Sequence, residues 1–215
     1  MNLKGGKKVI KKFRFFLDPI EGQERWLNNI AKQGYKLESV SQRGCLYTFS
    51  KEKDNHYIYT VELVSNRSNE YIDNYIKELN DFGIKCFIKG SNIGQYSFGK
   101  FKLRPFIKES KSKVATSKNI NRELLILEKP KENDEDKFEI YTDVEDIKKY
   151  YSNMVSLFSY FTLIPSLFLL LVLYDLLWKG NYNTLELKII LAIVLFIFTV
   201  FWGYKSLYYK KKIQK

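Results

Sequence analysis

Histidine occurs once, at His56, and cysteine twice, at Cys45 and Cys86, in 215 residues. These counts exclude a disulfide scaffold, a four-cysteine zinc site, a two-cysteine, two-histidine finger and any mechanism that needs a histidine pair. A three-ligand zinc or a Cys–His nucleophile would require Cys45, His56 and Cys86 to align on three strands. Two core thiols and a strand-edge imidazole are the simpler reading. Eleven glycines and four prolines exclude collagen-like and linker-like chains, and a 45% hydrophobic content excludes disorder throughout. Gly5-Gly6-Lys7-Lys8 lacks the Gly-x4-Gly-Lys-Ser/Thr spacing of a phosphate loop and reads as a basic N-terminal tail. Asp134, Glu135 and Asp136 lack the glycine and the distal glutamate of a calcium loop. No metal, cofactor or catalytic residue is expected, and the chain reads as a non-enzyme.

Long apolar runs are what the sequence does have. Mean hydropathy is −0.31, yet residues 150–174, between Lys149 and Asp175, are 25 consecutive residues without a charge. A helix rises about 1.5 Å per residue, so about 20 apolar residues cross a hydrocarbon core about 30 Å thick. A second uncharged run, Ile189 to Tyr204, covers about 24 Å. Lys188 and Lys205 can snorkel at its ends, and Thr184 to Leu187 extend it. Trp178, Trp202, Tyr204, Tyr208 and Tyr209 fall where an aromatic belt would lie, and Pro165 is a candidate kink. Asp175 is expected to pair with Lys179 one turn on rather than to serve an ion path.

Lys148 and Lys149 precede the first run, and Lys205, Lys210, Lys211, Lys212 and Lys215 follow the second, whereas the connection carries Lys179 and Lys188 alone. The positive-inside rule then places both termini in the cytoplasm with a short hairpin outside. The expected organisation is a cytosolic domain over 1–150, spans over 151–178 and 187–208, an external loop over 179–186 and a basic tail over 209–215. No signal-peptide pattern opens the chain, and both cysteines are expected to be reduced.

Within 1–150 a strand–helix–strand–strand pattern occurs twice, about 49 positions apart. Residues 9–17 read as a strand. Asp18 as cap, Pro19 at the first turn and Glu21 as capping-box acid then start a helix that buries Trp26, Leu27, Ile30 and Ala31 and stops at Gly34. Residues 35–41 and 44–50 follow as a hairpin. In the second copy, 56–64 is a strand, Ser68 caps a helix with Ile72, Tyr75, Ile76 and Leu79 inward, and Gly83 ends it. Residues 84–89 and 94–103 complete the unit, and 123–128 adds a strand. The expected fold is α+β: a two-layer sandwich of one mixed or antiparallel sheet with helices on one face, followed by the two-helix transmembrane hairpin. Tyr47, Phe49, Tyr57 and Tyr59 read as core beneath the helices, with a base-stacking face as the less favoured alternative.

Charge is distributed in blocks. Residues 84–122 hold ten Lys or Arg against Glu109, and residues 128–146 hold nine acids against three lysines. A juxtamembrane polybasic loop gains about 1 kcal/mol per cation from anionic lipid. Lys100, Lys102, Arg104, Lys108, Lys111, Lys113 and Lys118 are therefore the candidate lipid contacts, against the plainer reading of a solvated loop.

The run KFRFFLDPIEGQERWLNNIAKQGYKLESV, then YTFSK, HYIYTVEL and FEIYTDVEDIKKYYSNM before the hydrophobic hairpin, resembles an uncharacterised bacterial membrane family, domain of unknown function 2812. The resemblance covers residues 9–175, with 90–121 standing as an insertion. It implies a Firmicutes-type membrane protein, often encoded beside PadR-like transcription regulators, and carries over no catalytic residues. The expected function is a membrane-anchored, regulatory interaction or sensing module for a protein or small-molecule partner. The alternative is a tethered module binding nucleic acid or a transcription regulator, supported by the net charge of +12. Self-assembly is a further partner class left open by the sequence.

Overall fold

A computed structural model of the chain describes residues 8–41, 45–52, 57–65, 67–91, 96–98, 101–103, 114–115, 122–131, 138, 144–178 and 185–214, the short segments between 96 and 115 by backbone alone. The described residues divide into two compact units, one up to residue 103 together with 114–146, the other from 147 onward.

The first unit is the α+β domain. Its elements are β1 (Val9–Phe13), α1 (Glu21–Ala31), β2 (Tyr35–Val40), β3 (Leu46–Lys51), β4 (Tyr57–Leu63), α2 (Asn69–Asp81), β5 (Lys85–Lys89), β6 (Tyr96–Phe98), β7 (Phe101–Leu103), β8 (Val114–Ala115) and β9 (Leu124–Pro130). The strands divide into small antiparallel sheets of order β1-β3-β2 and β4-β9-β5, with a ribbon β6-β7-β8 apart from both. The first two sheets are built alike: a strand, a helix and a second strand leave a gap that a third strand fills, a split β-α-β arrangement. In the first sheet Val9 stands opposite Ser50 and Phe13 opposite Leu46; in the second, Tyr57 stands opposite Pro130 and Leu63 opposite Leu124.

The third strand of the second copy is thus β9, not the 94–103 segment that sequence spacing puts there. The physical reason lies in Leu124-Leu125-Ile126-Leu127. A central strand buried on both faces needs a continuous apolar run, and all four side chains have no exposure. The 94–103 segment instead supplies β6 and β7, three residues each, to the ribbon.

Local signals explain the helix limits. Ser68 accepts the Tyr71 N–H at 3.1 Å and caps α2, and Gly34 and Gly83 end the helices at φ 85° and 76°. Asp18 does not cap α1, which starts after Ile20 without a side-chain cap. The Asp18 side chain folds over Gly22 instead, where an added Cβ would stand 3.0 Å from its Cβ.

Each helix covers its own sheet. Trp26 of α1 packs edge-on to Tyr47 and Phe49 of β3, with ring centroids 4.9 and 5.6 Å apart. Ile72 and Leu79 of α2, with Tyr75 and Ile76, pack on Val64, Leu125, Leu127, Cys86 and Ile88. Tyr47, Phe49 and Tyr59 are buried in the core.

The second unit is a helical hairpin of α3 (Val144–Leu177) and α4 (Leu185–Ile213). Their 34 and 29 residues correspond to about 51 and 44 Å, each long and apolar enough to cross a membrane. α3 continues through Pro165. Far from the loop the helices interlock through Phe158, stacked on Trp202 and Tyr209 at 5.5 Å each. The Ser159 and Ser206 hydroxyls meet at 2.9 Å. At the loop end Asp175 pairs with Lys188 at 2.6 Å across the hairpin, while Lys179, its expected partner, lies outside the described residues.

Candidate functional site

The polar side chains of the α+β domain gather where the two sheets meet. β9 alternates Leu124, Ile126 and Glu128 on the face away from α2, so Glu128 continues an apolar stripe and is carried inside with 2% exposure. Its Oε2 accepts the Tyr59 hydroxyl at 2.7 Å, and its Oε1 lies 3.5 Å from Lys36 Nζ. The Tyr59 oxygen in turn accepts the Leu37 N–H at 2.8 Å. Lys36 Nζ sits 4.0 Å above the Tyr57 ring, and Lys85 stands opposite Glu128 on β5. One chain of hydrogen bonds therefore runs from the backbone of β2 through Tyr59 to Glu128 and Lys36.

Burial shifts these groups in consistent directions. It raises the Glu128 carboxyl above its ordinary range, against the Tyr59 hydrogen bond and the Lys36 charge, which favour the carboxylate. It pushes the Tyr59 hydroxyl far up, with Glu128 adding to the effect. At Lys36 burial pulls downward, but the Tyr57 hydrogen bond and the Glu128 charge together hold the ammonium above its usual value. Chemically the centre is a proton-linked fastener between sheets, because its polar partners are consumed by one another.

A second buried polar group closes the neck of the insertion. Lys89 Nζ donates to the Gly90 carbonyl at 3.1 Å and lies 5.7 Å from the Tyr47 ring. The Ser91 N–H donates to the Glu123 carboxylate at 3.1 Å, and the Glu123 N–H to the Lys89 carbonyl at 3.2 Å. Arg122 grips Asp73 of α2 with both terminal nitrogens.

Of the candidate lipid contacts, Lys102 lies on β7 opposite Ala115, and Lys100, Arg104, Lys108, Lys111, Lys113 and Lys118 lie outside the described residues. The N-terminal Gly5–Lys7, His56 and the 134–136 acids also lie outside them. Cys45 precedes β3, and Cys86 on β5 packs toward α2 with its thiol pushed up to about 11 by burial. No cluster of three metal-ligating side chains occurs among the described residues.

Composition assigns Glu128 to the acidic block, and sequence reasoning singles out neither Tyr59's partner role nor Lys36. The missed signal is the two-residue alternation, which carries straight through Leu124 and Ile126 into Glu128.

Fold and polar centre define a class: an α+β domain of two split β-α-β units, joined to two long apolar helices. The family described as protein of unknown function DUF2812 matches residues 19–163, more than half of the chain, and the chain belongs to that family. Comparisons with curated proteins and with solved structures found no match.

Proposed function

We propose that this protein is a membrane-anchored interaction module, in which the α3–α4 hairpin holds a cytosolic α+β domain at the membrane and the domain binds a partner in a regulatory, non-catalytic role. The observation that carries the reading is the outward apolar surface of both long helices. Leu167, Phe168, Leu170 and Leu171 on α3, and Ile190, Ile193, Phe196 and Ile197 on α4, are all exposed. Exposed side chains of this kind over two such helices are costly in water and satisfied in lipid. The lysine distribution supports cytoplasmic termini.

Alkaline carbonate extraction, with labelling by a membrane-impermeant maleimide, tests this directly. The protein should stay in the membrane pellet. Asn183→Cys, in a Cys45→Ser, Cys86→Ser background, should label in intact cells, and native Cys45 only after permeabilisation. Extraction by carbonate, or an inaccessible residue 183, would overturn it. The basic segment from Lys100 to Lys118 is the proposed contact with anionic lipid, readable as retention of the full-length protein on anionic over neutral vesicles at low salt. The competing reading, a nucleic-acid or transcription-regulator module, draws on the +12 charge and would appear as nucleic-acid binding that falls steeply with salt.

A further inference from the structure

The strand edges of the α+β domain are treated unequally. The outer edge of β4 is closed by α1, where Asn28 pairs with both backbone groups of Tyr59 and Glu24 accepts the Val61 N–H at 3.2 Å. β2 gives its Leu37 N–H to Tyr59, and β5 runs beside β2. Among the described residues β1 pairs with β3 alone.

Its register fixes which groups are free. The Arg14 N–H donates to Cys45 at 2.7 Å and the Lys51 N–H to the Lys8 carbonyl at 2.9 Å. In an antiparallel ladder the backbone alternates direction, so Lys8, Ile10, Lys12 and Arg14 turn toward β3. Val9, Lys11 and Phe13 turn their N–H and C=O groups to the open side, with no partner among the described residues. Their side chains are exposed as well, Phe13 to 77%, and Leu46 opposite Phe13 extends the apolar strip. Between residues 8 and 17 stand Lys8, Lys11, Lys12 and Arg14 and no acid.

We propose that β1 accepts an extended, acidic peptide segment of a partner protein as an added strand. The row of alternating donors and acceptors is matched by another peptide backbone, whereas lipid or phosphate oxygens supply acceptors alone. On one face of β1 Lys8, Lys12 and Arg14 select acidic side chains, and on the other Val9 and Phe13, with Leu46 opposite Phe13, select apolar ones. A second copy of β1 would bring these cations against their own kind, which opposes self-pairing. The proposal deepens the interaction-module reading by naming the partner's chemistry, yet can fail separately, because carbonate extraction reports on the anchor and peptide binding on the edge.

The test uses the full-length protein in neutral-lipid nanodiscs and a labelled synthetic peptide alternating Glu with Val and Ile, beside the same peptide with Lys for Glu. The acidic peptide should bind saturably and slow hydrogen exchange at the Val9, Lys11 and Phe13 amides. Lys11→Pro removes an outward N–H while leaving the bonds to β3, and should weaken binding about tenfold, the equivalent of about 1.4 kcal/mol. Lys12→Glu, on the face that meets the acidic side chains, keeps the backbone intact and should shift preference toward the lysine peptide, so the proposal stays testable if the proline variant misfolds. Absence of saturable binding, binding without protection of those three amides, self-association through β1, or capture by phosphatidylglycerol vesicles alone would each overturn it.

Discussion

The side-chain amide of Asn28 serves as a ladder partner for Tyr59, donating to its carbonyl at 2.8 Å and accepting its N–H at 2.9 Å. One turn earlier on the same helix, Glu24 takes the Thr60 hydroxyl at 2.8 Å and the Val61 N–H. A helix thereby closes a strand edge that would otherwise recruit other chains. Asn28→Ala leaves two part-buried backbone groups unpaired, which costs about 2 kcal/mol. Asn28→Asp loses only the donor and should fall between. Thermal unfolding of the full-length protein in detergent, with hydrogen exchange at the Tyr59 amide, checks both. Native-like exchange in the alanine variant would sink the claim.

Two buried tyrosines make a matched pair of opposite sign. The Tyr59 hydroxyl links Leu37 to Glu128, whereas the Tyr47 hydroxyl is buried with no hydrogen-bond partner among the described residues. Tyr59→Phe strands a buried N–H and a buried carboxylate oxygen and should destabilise by about 2–3 kcal/mol. Tyr47→Phe removes a desolvated hydroxyl from an aromatic cluster of Phe16, Trp26 and Phe49, and should be neutral or stabilising by about 1 kcal/mol. If both variants lose stability equally, the assignment of roles fails.

The pH dependence carries a definite sign. Burial raises the Glu62 carboxyl above the ordinary 4.5, opposed by the Tyr75 hydrogen bond and the Arg67 charge, and burial raises Glu128 likewise. A raised folded-state value means that the native state holds protons which the unfolded chain releases. Both contributions are therefore fully present below about 4.5 and are lost as pH rises through the raised values. Glu62→Gln mimics the protonated side chain and can still accept the Tyr75 hydroxyl. It should be more stable than the parent at pH 7 and match it below pH 4.5. Asp73 works the other way. The Arg122 hydrogen bond lowers its value beneath 3.8, so its contribution is lost only in stronger acid, and its exposure keeps it small. Unfolding temperatures of parent and variant across pH 4 to 7 decide it, and parallel curves would contradict the assignment.

What could be read from the residues was what local chemistry fixes. Ser68, Gly34, Gly83 and the α2 stripe of Ile72 and Leu79 carry their own instructions, and each acts as its residue type suggests. The β-α-β-β repeat was legible for the same reason, and so were the two apolar runs. Asp18 misled because a cap depends on where the next turn begins, and Pro19 and Ile20 form a turn between it and the start of α1. The identity of the third strand in the second sheet was hidden by distance along the chain, because β9 pairs with strands that precede the insertion. The Glu128–Tyr59–Lys36 centre was hidden for a related reason. Its members come from β9, β4 and β2, and only the pairing of sheets brings them together.

That long-range pairing yields the strongest test of the architecture. Lys89 at the end of β5 stands directly opposite Leu124 at the start of β9, so the two strands are a hairpin opened by a long insertion. The first sheet shows the closed form, where Val40 of β2 stands opposite Tyr47 of β3 across a short turn. Replacing residues 93–120 with two glycines keeps Gly90, Ser91, Arg122 and Glu123, and with them the Ser91–Glu123 and Arg122–Asp73 contacts at the neck. The shortened protein should fold with β9 in place. Loop closure grows as the logarithm of length, so the gain is about 1–2 kcal/mol less whatever the ribbon contributes. Protection of the Leu125 and Leu127 amides from hydrogen exchange, compared in both proteins, reads the result. Retained protection establishes β5 and β9 as hairpin partners independent of the insertion, while loss of protection would make the ribbon an integral part of the second sheet. The same variant lacks all seven basic residues proposed to touch lipid, so its retention on anionic vesicles should drop at low salt even though its fold persists.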